Sequence, residues 1–399
     1  MASDTEAAAS AEGRTRRLIL LLGLSCFAGA LSSRVTDPFV VSISTEFRTS
    51  PESVALLATA FAVPFALVQP VLGPLGDALG KRRVIRWSLC LLAVFALLAP
   101  LAPDLPTLAV LRGLTGAAAG GVMPLSLATV GDAVPMRERQ VALSRLVVFA
   151  IAGQVGGGAL AGVLAPYLGW RGVLGLCAAV ALAAAALMVL LARRAAGPVE
   201  PPRRFDPVGA IRRYRAILKL PAARLLYASV LAEGLFVFGA FPYFAPVLEA
   251  RGLAAPGHGT FEAGLAVAAF GCGGFVFAAL ARPLLASIGQ SGMVALGGAL
   301  AALAMLGLAA APFAALFVAA GLVLGLGFYM VHNTIQTRVT EVAPEARGSA
   351  VALHAFHFYV GQSLGPVAVG VASGLLGAGV AFALAGFGML ALGLRLGRR

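Results

Sequence analysis

Apolar and polar positions alternate along this chain in long blocks rather than at helical or strand period. Twelve runs of about 20 predominantly apolar residues, each long enough to cross a bilayer as a helix, lie at 18–42, 53–76, 84–103, 107–131, 140–166, 172–192, 222–248, 261–285, 292–311, 314–337, 348–373 and 378–396. Most connections are a few residues long. The exception is the polar segment 193–221, rich in Pro and Arg, which divides the chain into six spans and six. The expected fold is an all-α integral membrane protein of two six-helix bundles, 18–192 and 222–396. The linker 193–221 joins them, and short tails 1–17 and 397–399 flank them.

Composition agrees. Hydrophobic residues make up 60% of the 399 and charged residues only 12%, against roughly 25% charged in soluble domains. Mean hydropathy is +0.92. The formal net charge is +13, which in a soluble chain suggests nucleic acid. Placed on the twelve-span topology with the N-terminus inside, 24 of the 30 basic residues fall on the cytoplasmic side. Only Arg48, Arg171 and Arg251 fall outside, while Arg34, Arg112 and Arg145 lie within spans. This is a positive-inside bias. It puts both termini and the linker in the cytoplasm, leaves anionic membrane lipid as the partner of the surface charge, and removes nucleic acid. The dominance of Arg over Lys, with abundant Ala and Gly, points to a GC-rich bacterial source and its inner membrane, without a cleavable leader. Cys26, Cys90, Cys177 and Cys272 are far apart inside apolar runs, so neither a disulfide framework nor a metal site is expected.

The halves echo each other. DAVPMRER at 132–139 parallels EVAPEAR at 341–347, and the Gly153-Gln154…Gly157-Gly158…Gly162 run parallels Gly361-Gln362…Gly365-Pro366…Gly370. Both matches share an offset of 208 or 209 residues. An even number of spans per half makes this a parallel repeat.

The loop after the second span reads Gly73-Pro74-Leu75-Gly76-Asp77-Ala78-Leu79-Gly80-Lys81-Arg82-Arg83. It closely resembles the G-x-L-x-D-x-x-G-[RK]-[RK] signature of the major facilitator superfamily. Arg112–Gly116 is similar to that family's R-x-x-Q-G, with Thr115 for Gln; Gly169-Trp170-Arg171 is similar to its G-W-R, and Pro344–Gly348 to its P-x-x-R-G. The resemblance covers the whole chain and implies the superfamily's twelve-helix fold. It also implies a conformational latch at Gly73, Asp77, Gly80, Lys81, Arg82 and Arg83. The glycine-rich fifth span resembles the exporters' G-x-x-x-G-P-x-x-G-G, with Gly158 where Pro is expected and Ala161 where Gly is. Gly153, Gly157, Gly158 and Gly162, with Gly361, Gly365 and Pro366, also read simply as helix-packing positions.

Ionisable side chains at membrane depth are functional candidates. Asp37 and Glu233 are the two acids within spans, and Glu233, near the midplane, is the sharper candidate for a proton site. Asp37 follows Arg34 by three residues on one helix face, and Arg112 in the fourth span lies at similar depth. One carboxylate between two guanidinium groups suits ion-pair exchange or an anionic substrate group, and equally a permanent salt bridge. By resemblance, spans 1, 4, 7 and 10 line a central cavity. Its expected lining is Arg34, Arg112, the polar cluster His332, Asn333 and Gln336, and aromatic residues including Phe236 and Tyr243. His354 and His357 are further proton-binding candidates.

The expected function is secondary active transport, with proton-coupled efflux of a small organic compound, drug-like or metabolite, by alternating access. The alternative is proton-coupled import of a sugar, carboxylate or similar metabolite; a membrane sensor or membrane-embedded enzyme is remote. No GxxxxGK[ST] is present, so a proton gradient, without cofactor or metal, is the expected energy source. The expected protein is a monomer and no enzyme.

Overall fold

The computed structural model describes residues 2–134, 136–191, 206–255 and 259–398, and every regular element among them is helical. Linker residues 192–205 and Pro135 of the first repeat motif lie outside the described residues.

Span 1 is α1 (Ala2–Arg34) and α2 (Val40–Phe47), joined through a 3-10 turn at Asp37–Phe39. Spans 2 and 3 are α3 (Pro51–Leu79) and α4 (Lys81–Leu98), and span 4 is α5 (Leu105–Gly120) followed by α6 (Met123–Ala133). α7 (Met136–Leu191) carries spans 5 and 6 and breaks at Gly169. The linker contains α8 (Pro207–Lys219). Span 7 is α9 (Pro221–Phe238) and α10 (Phe244–Ala250) about a second 3-10 turn at Phe241–Tyr243. α11 (Gly259–Ala310) breaks at Gly289 into spans 8 and 9. Spans 10 to 12 are α12 (Ala314–Val342), α13 (Arg347–Leu376) and α14 (Ala378–Gly397). Ten stretches are long and apolar enough to cross a membrane, and the two of 51 and 52 residues each hold two passes. With twelve passes, both termini and the linker share one side, hereafter the linker face; the opposite side is the far face.

Two elements differ from expectation. α1 starts at Ala2, ahead of the apolar run, because its Ala- and Glu-rich beginning favours helix by propensity alone. The polar linker contains the helix α8, whose start is capped where Asp206 Oδ1 accepts from the Gly209 N–H at 2.8 Å.

The repeat is written into the backbone. Gly80 and Gly289 have φ of 88° and 66°, and Gly169 and Gly377 have φ of 60° and 85°. The members of each pair stand 209 and 208 residues apart, at equivalent turns between spans, in a conformation that glycine adopts without strain. Spans 1 and 7 are interrupted alike, at Pro38 and Pro242, since a proline has no N–H to continue the helical ladder.

Glycines set the closest packing. A Cβ at Gly153 would strike the Phe27 carbonyl, and one at Gly157 would lie 2.9 Å from that of Leu31, so span 5 lies directly on span 1. Gly361 and Gly365 repeat this against Leu231, Leu235 and Gly239, placing span 11 on span 7. Gly158 and Gly162 face Gly264 and Phe261 of α11 and join the halves. The halves also meet where Thr59 Oγ1 donates to the Ser363 carbonyl at 2.7 Å and where the tilted rings of Phe65 and Tyr359 lie 3.8 Å apart, centre to centre.

Candidate functional site

The break in span 1 creates the first charged locus. α1 ends at Arg34, so its last carbonyls have no N–H one turn on. Arg112 of α5 supplies the missing donors: its Nη1 reaches the Ser32 carbonyl at 2.7 Å and its Nη2 that of Ser33 at 3.0 Å. A cation at a helix C-terminus is also favoured by the helix dipole. The Arg112 guanidinium lies 4.6 Å from the centre of the Phe61 ring. Its hydrogen bonds therefore go to backbone, and the guanidinium bonded to Asp37 is that of Arg34, at 3.4 Å. Arg34 Nη2 also donates to Gln362 Oε1 of α13, and its Cζ sits 4.3 Å over Phe238 and 5.7 Å from Phe241. One residue thus binds both halves. Asp37 is buried, and its Oδ1 has no hydrogen-bond partner among the described residues.

The second locus lies within the second half. Glu233 is twelve residues past Pro221, about 18 Å along the helix at 1.5 Å per residue, and is 0% exposed. Its Oε2 is 3.0 Å from His332 Nδ1, whereas Oε1 is without a partner among the described residues. The His332 side chain keeps 17% exposure. His354 of α13 sets its ring 5.1 Å from that of His332, and its Nε2 is buried with no described partner. One proton can reside on the imidazole or on the carboxyl without breaking the Glu233–His332 bond, so the arrangement is chemically able to exchange a proton.

Aromatic rings join the loci. Phe238, under Arg34, is 5.6 Å from Phe358, and Phe358 is 4.7 Å from His332.

The other expected lining residues belong to neither locus. Asn333 is exposed and Gln336 is half-buried, one turn further toward the linker face than His332. Phe236 packs on Gly388 of α14, and the Tyr243 hydroxyl donates to the Pro366 carbonyl at 2.8 Å. His357 is occupied by a 2.7 Å bond to the Leu353 carbonyl and by stacking on Tyr227. Gln362 and Phe358 were not singled out from sequence. Gln362 had a signal, its place in the repeated Gly-Gln pair; Phe358 is one apolar residue among many.

At the linker face, Lys81 Nζ bonds Asp132 Oδ2 of α6 at 2.5 Å and lies 3.8 Å from Asp77. The charged turn therefore ties spans 2 and 3 to span 4, and Asp132 is a partner the motif alone does not name. Gly80 makes the turn, and Gly76 lies under Leu125. Gly73 has open space around it, while Arg82 and Arg83 stand on the first turn of α4. At the far face, Trp170 Nε1 donates to Glu46 Oε2 at 2.6 Å. Arg171 donates to Glu46 Oε1 at 2.7 Å and to the Ala102 carbonyl at 3.0 Å.

A family model described as Major Facilitator Superfamily matches residues 22–366 and, again, 261–398. The chain belongs to this superfamily. It is similar to a putative metabolite transport protein of Haemophilus influenzae, 30% identical over 132 residues, which are 33% of this chain and 32% of that one. It is also similar to the efflux transporter aclA of Aspergillus oryzae, 29% identical over 171 residues, 41% of this chain and 30% of that one. The vacuolar basic amino acid transporter 1 of Saccharomyces cerevisiae is 26% identical over 159 residues, 40% and 28% of the two chains. The chain spans about a third of the length of these relatives. Among solved structures, a bacterial homologue of the human lysosomal transporter Spinster, in an inward-facing and unoccupied conformation, superposes with a TM-score of 0.70. It covers 96% of this chain and 95% of its own at 17% identity, a likeness of fold.

Proposed function

We propose that the chain is a secondary active transporter that exports a small organic compound, drug-like or metabolite, in exchange for protons by alternating access. The linker face is cytoplasmic in this reading, as the distribution of basic residues supports, and the protein sits in a bacterial inner membrane. The observation that carries the proposal is the Glu233–His332 pair: a fully buried carboxyl with one free oxygen, bonded to an imidazole that is itself partly reachable. A permanent salt bridge needs neither the free oxygen nor the reachable ring. His332 receives the proton from the cavity and Glu233 stores it, with His354 as the neighbouring acceptor. The substrate lies against Phe358 and Tyr359, between the charged loci. The halves are sealed toward the far face through Gly158 and Gly162, Thr59 and the Arg34–Gln362 bond. Rocking the halves breaks this set of contacts and forms another at the linker face. The efflux activity in the Aspergillus relative's name supports the direction.

The test is reconstitution in vesicles with an imposed pH gradient, reading internal pH as candidate compounds are added. Proton movement opposite to the compound is expected, and Glu233→Gln should abolish it in a protein that still inserts. Movement in the same direction would make the protein an importer. Wild-type coupling in Glu233→Gln would remove Glu233 from the mechanism.

A further inference from the structure

The transport reading makes no use of α8. One side of this helix, Ala210, Tyr214, Ile217 and Leu218, packs on the bundles, with Ala210 and Ile217 buried. Its contacts are with α3, α13 and α9. The Tyr214 hydroxyl donates to the Pro70 carbonyl of α3 at 2.7 Å. That carbonyl is free for a local reason: its helical donor would be the N–H of residue 74, and residue 74 is proline. Burial raises the Tyr214 phenol above its ordinary range, so it donates as a neutral hydroxyl. Pro70 lies ten residues from Gly80, about 15 Å along the helix axis, so α8 lies alongside the end of span 2 rather than beyond it.

The opposite side is built differently. Val208, Ile211, Arg212, Arg215 and Lys219 follow one another at i, i+3, i+4, i+7 and i+11, a single helical stripe. All five are exposed, Val208 by 65% and Ile211 by 49%, and Arg213 flanks them. Among the described residues no carboxylate pairs with these cations, and Asp206 is spent on the N-cap. Short apolar side chains beside long cationic ones match a shallow apolar layer under anionic headgroups.

We propose that the outer face of α8 docks on the anionic headgroup layer of the linker-face leaflet, through Arg212, Arg215 and Lys219 with Arg213 at the flank, while Tyr214 holds the other face to α3. The partner is the lipid surface itself.

The intact chain is placed in vesicles of phosphatidylcholine alone or of equal parts phosphatidylcholine and phosphatidylglycerol, and hydrogen exchange of amides 207–219 is followed. Exchange should be about tenfold slower with phosphatidylglycerol. The quadruple change Arg212→Gln, Arg213→Gln, Arg215→Gln and Lys219→Gln should remove the difference while the twelve spans keep their protection. Equal exchange in both vesicles, or a difference that survives the quadruple change, overturns the proposal. As a second measurement, a fluorophore at Val208→Cys in an otherwise cysteine-free chain should be quenched more by brominated phosphatidylglycerol than by brominated phosphatidylcholine. Equal quenching places α8 in the interface without a preference for anions. Absence of quenching turns this face to water, where a soluble acidic partner would be its occupant. Either result overturns the proposal.

Discussion

The two charged loci lie on the first span of each half, one at its break and one within the helix before it, and are wired in opposite ways. In the first half, Arg34 reaches across to Gln362 and lies on Phe238, so its bonding depends on how the halves are disposed. In the second half, Glu233, His332 and His354 all belong to the same bundle, so their contacts do not depend on the disposition of the two halves. A group that must load and unload a proton benefits from a fixed partner. A group that must report the conformation needs a partner on the other body. In the mechanism we propose, this difference suits the second locus to proton exchange and the first to gating, with Phe238 and Phe358 between them.

Removing Arg34 is the strongest way to break this comparison. Arg34→Ala leaves Asp37 buried without its cation and cuts the bond to Gln362. A loss of about 3–5 kcal/mol is expected, read as thermal unfolding in detergent. Glu233→Gln, which keeps shape and leaves the His332 contact as a neutral hydrogen bond, should cost less than about 1.5 kcal/mol. Equal losses would erase the distinction between a bridging and a self-contained locus.

A double-mutant cycle sharpens it. Arg34→Ala with Gln362→Ala should show a coupling of about 1–3 kcal/mol, and Glu233→Gln with Gln362→Ala a coupling within about 0.5 kcal/mol of zero. Coupling of the second pair would mean that the Glu233 locus also senses the interface between halves.

The twelve spans and the parallel repeat were legible because bilayer thickness and backbone satisfaction leave few alternatives for apolar runs of that length. The place of Glu233 inside an apolar span was legible for the same reason. Its partner His332 is expected from sequence only as part of the polar cluster of span 10, because the pairing depends on the rotation of α12 about its own axis. Among the aromatic residues expected in the lining, Phe236 and Tyr243 pack elsewhere, and Phe238, two residues from Phe236 on the same helix, is the ring beneath Arg34. The exporter-type motif shows the same limit. Gly158 stands where proline is expected, and the structure supplies the reason, since the Gly264 carbonyl of the other half would lie 2.9 Å from a Cβ there. That is a contact between bodies, written in no local pattern.

Arg112 offers a milder test of the first locus. Its fork satisfies two carbonyls at the end of α1, and a lysine in the same place is a point charge that does not span both. Arg112→Lys should cost about 1–2 kcal/mol. It should also leave the Arg34–Asp37 pair intact, because Arg112 bonds backbone rather than Asp37. If Arg112→Lys instead shifts the pH dependence of proton movement as strongly as Asp37→Asn does, the three residues act as one titrating unit and Arg112 is more than a helix cap.

The smallest effect belongs to the charged turn at the linker face, where the repeat again keeps its backbone and changes its chemistry. Gly80 and Gly289 make the same turn, but residues 286 and 290, at the offset of 209 from Asp77 and Lys81, are Ala and Gln. Only the first half therefore carries the Lys81–Asp132 and Lys81–Asp77 contacts. Asp132 and Asp77 are close to half exposed, so solvent and salt screen them, and Lys81→Gln should lower the unfolding free energy by less than about 1 kcal/mol. The loss should disappear as salt is raised, since the Debye length falls from about 10 Å at 0.1 M to about 3 Å at 1 M. A salt-independent loss would mean that Lys81 acts through packing on Gly76 instead. A large change in the balance between sealed and open forms, read by cross-linking spans 2 and 11 at the linker face, would move part of the gating from Arg34 to this turn.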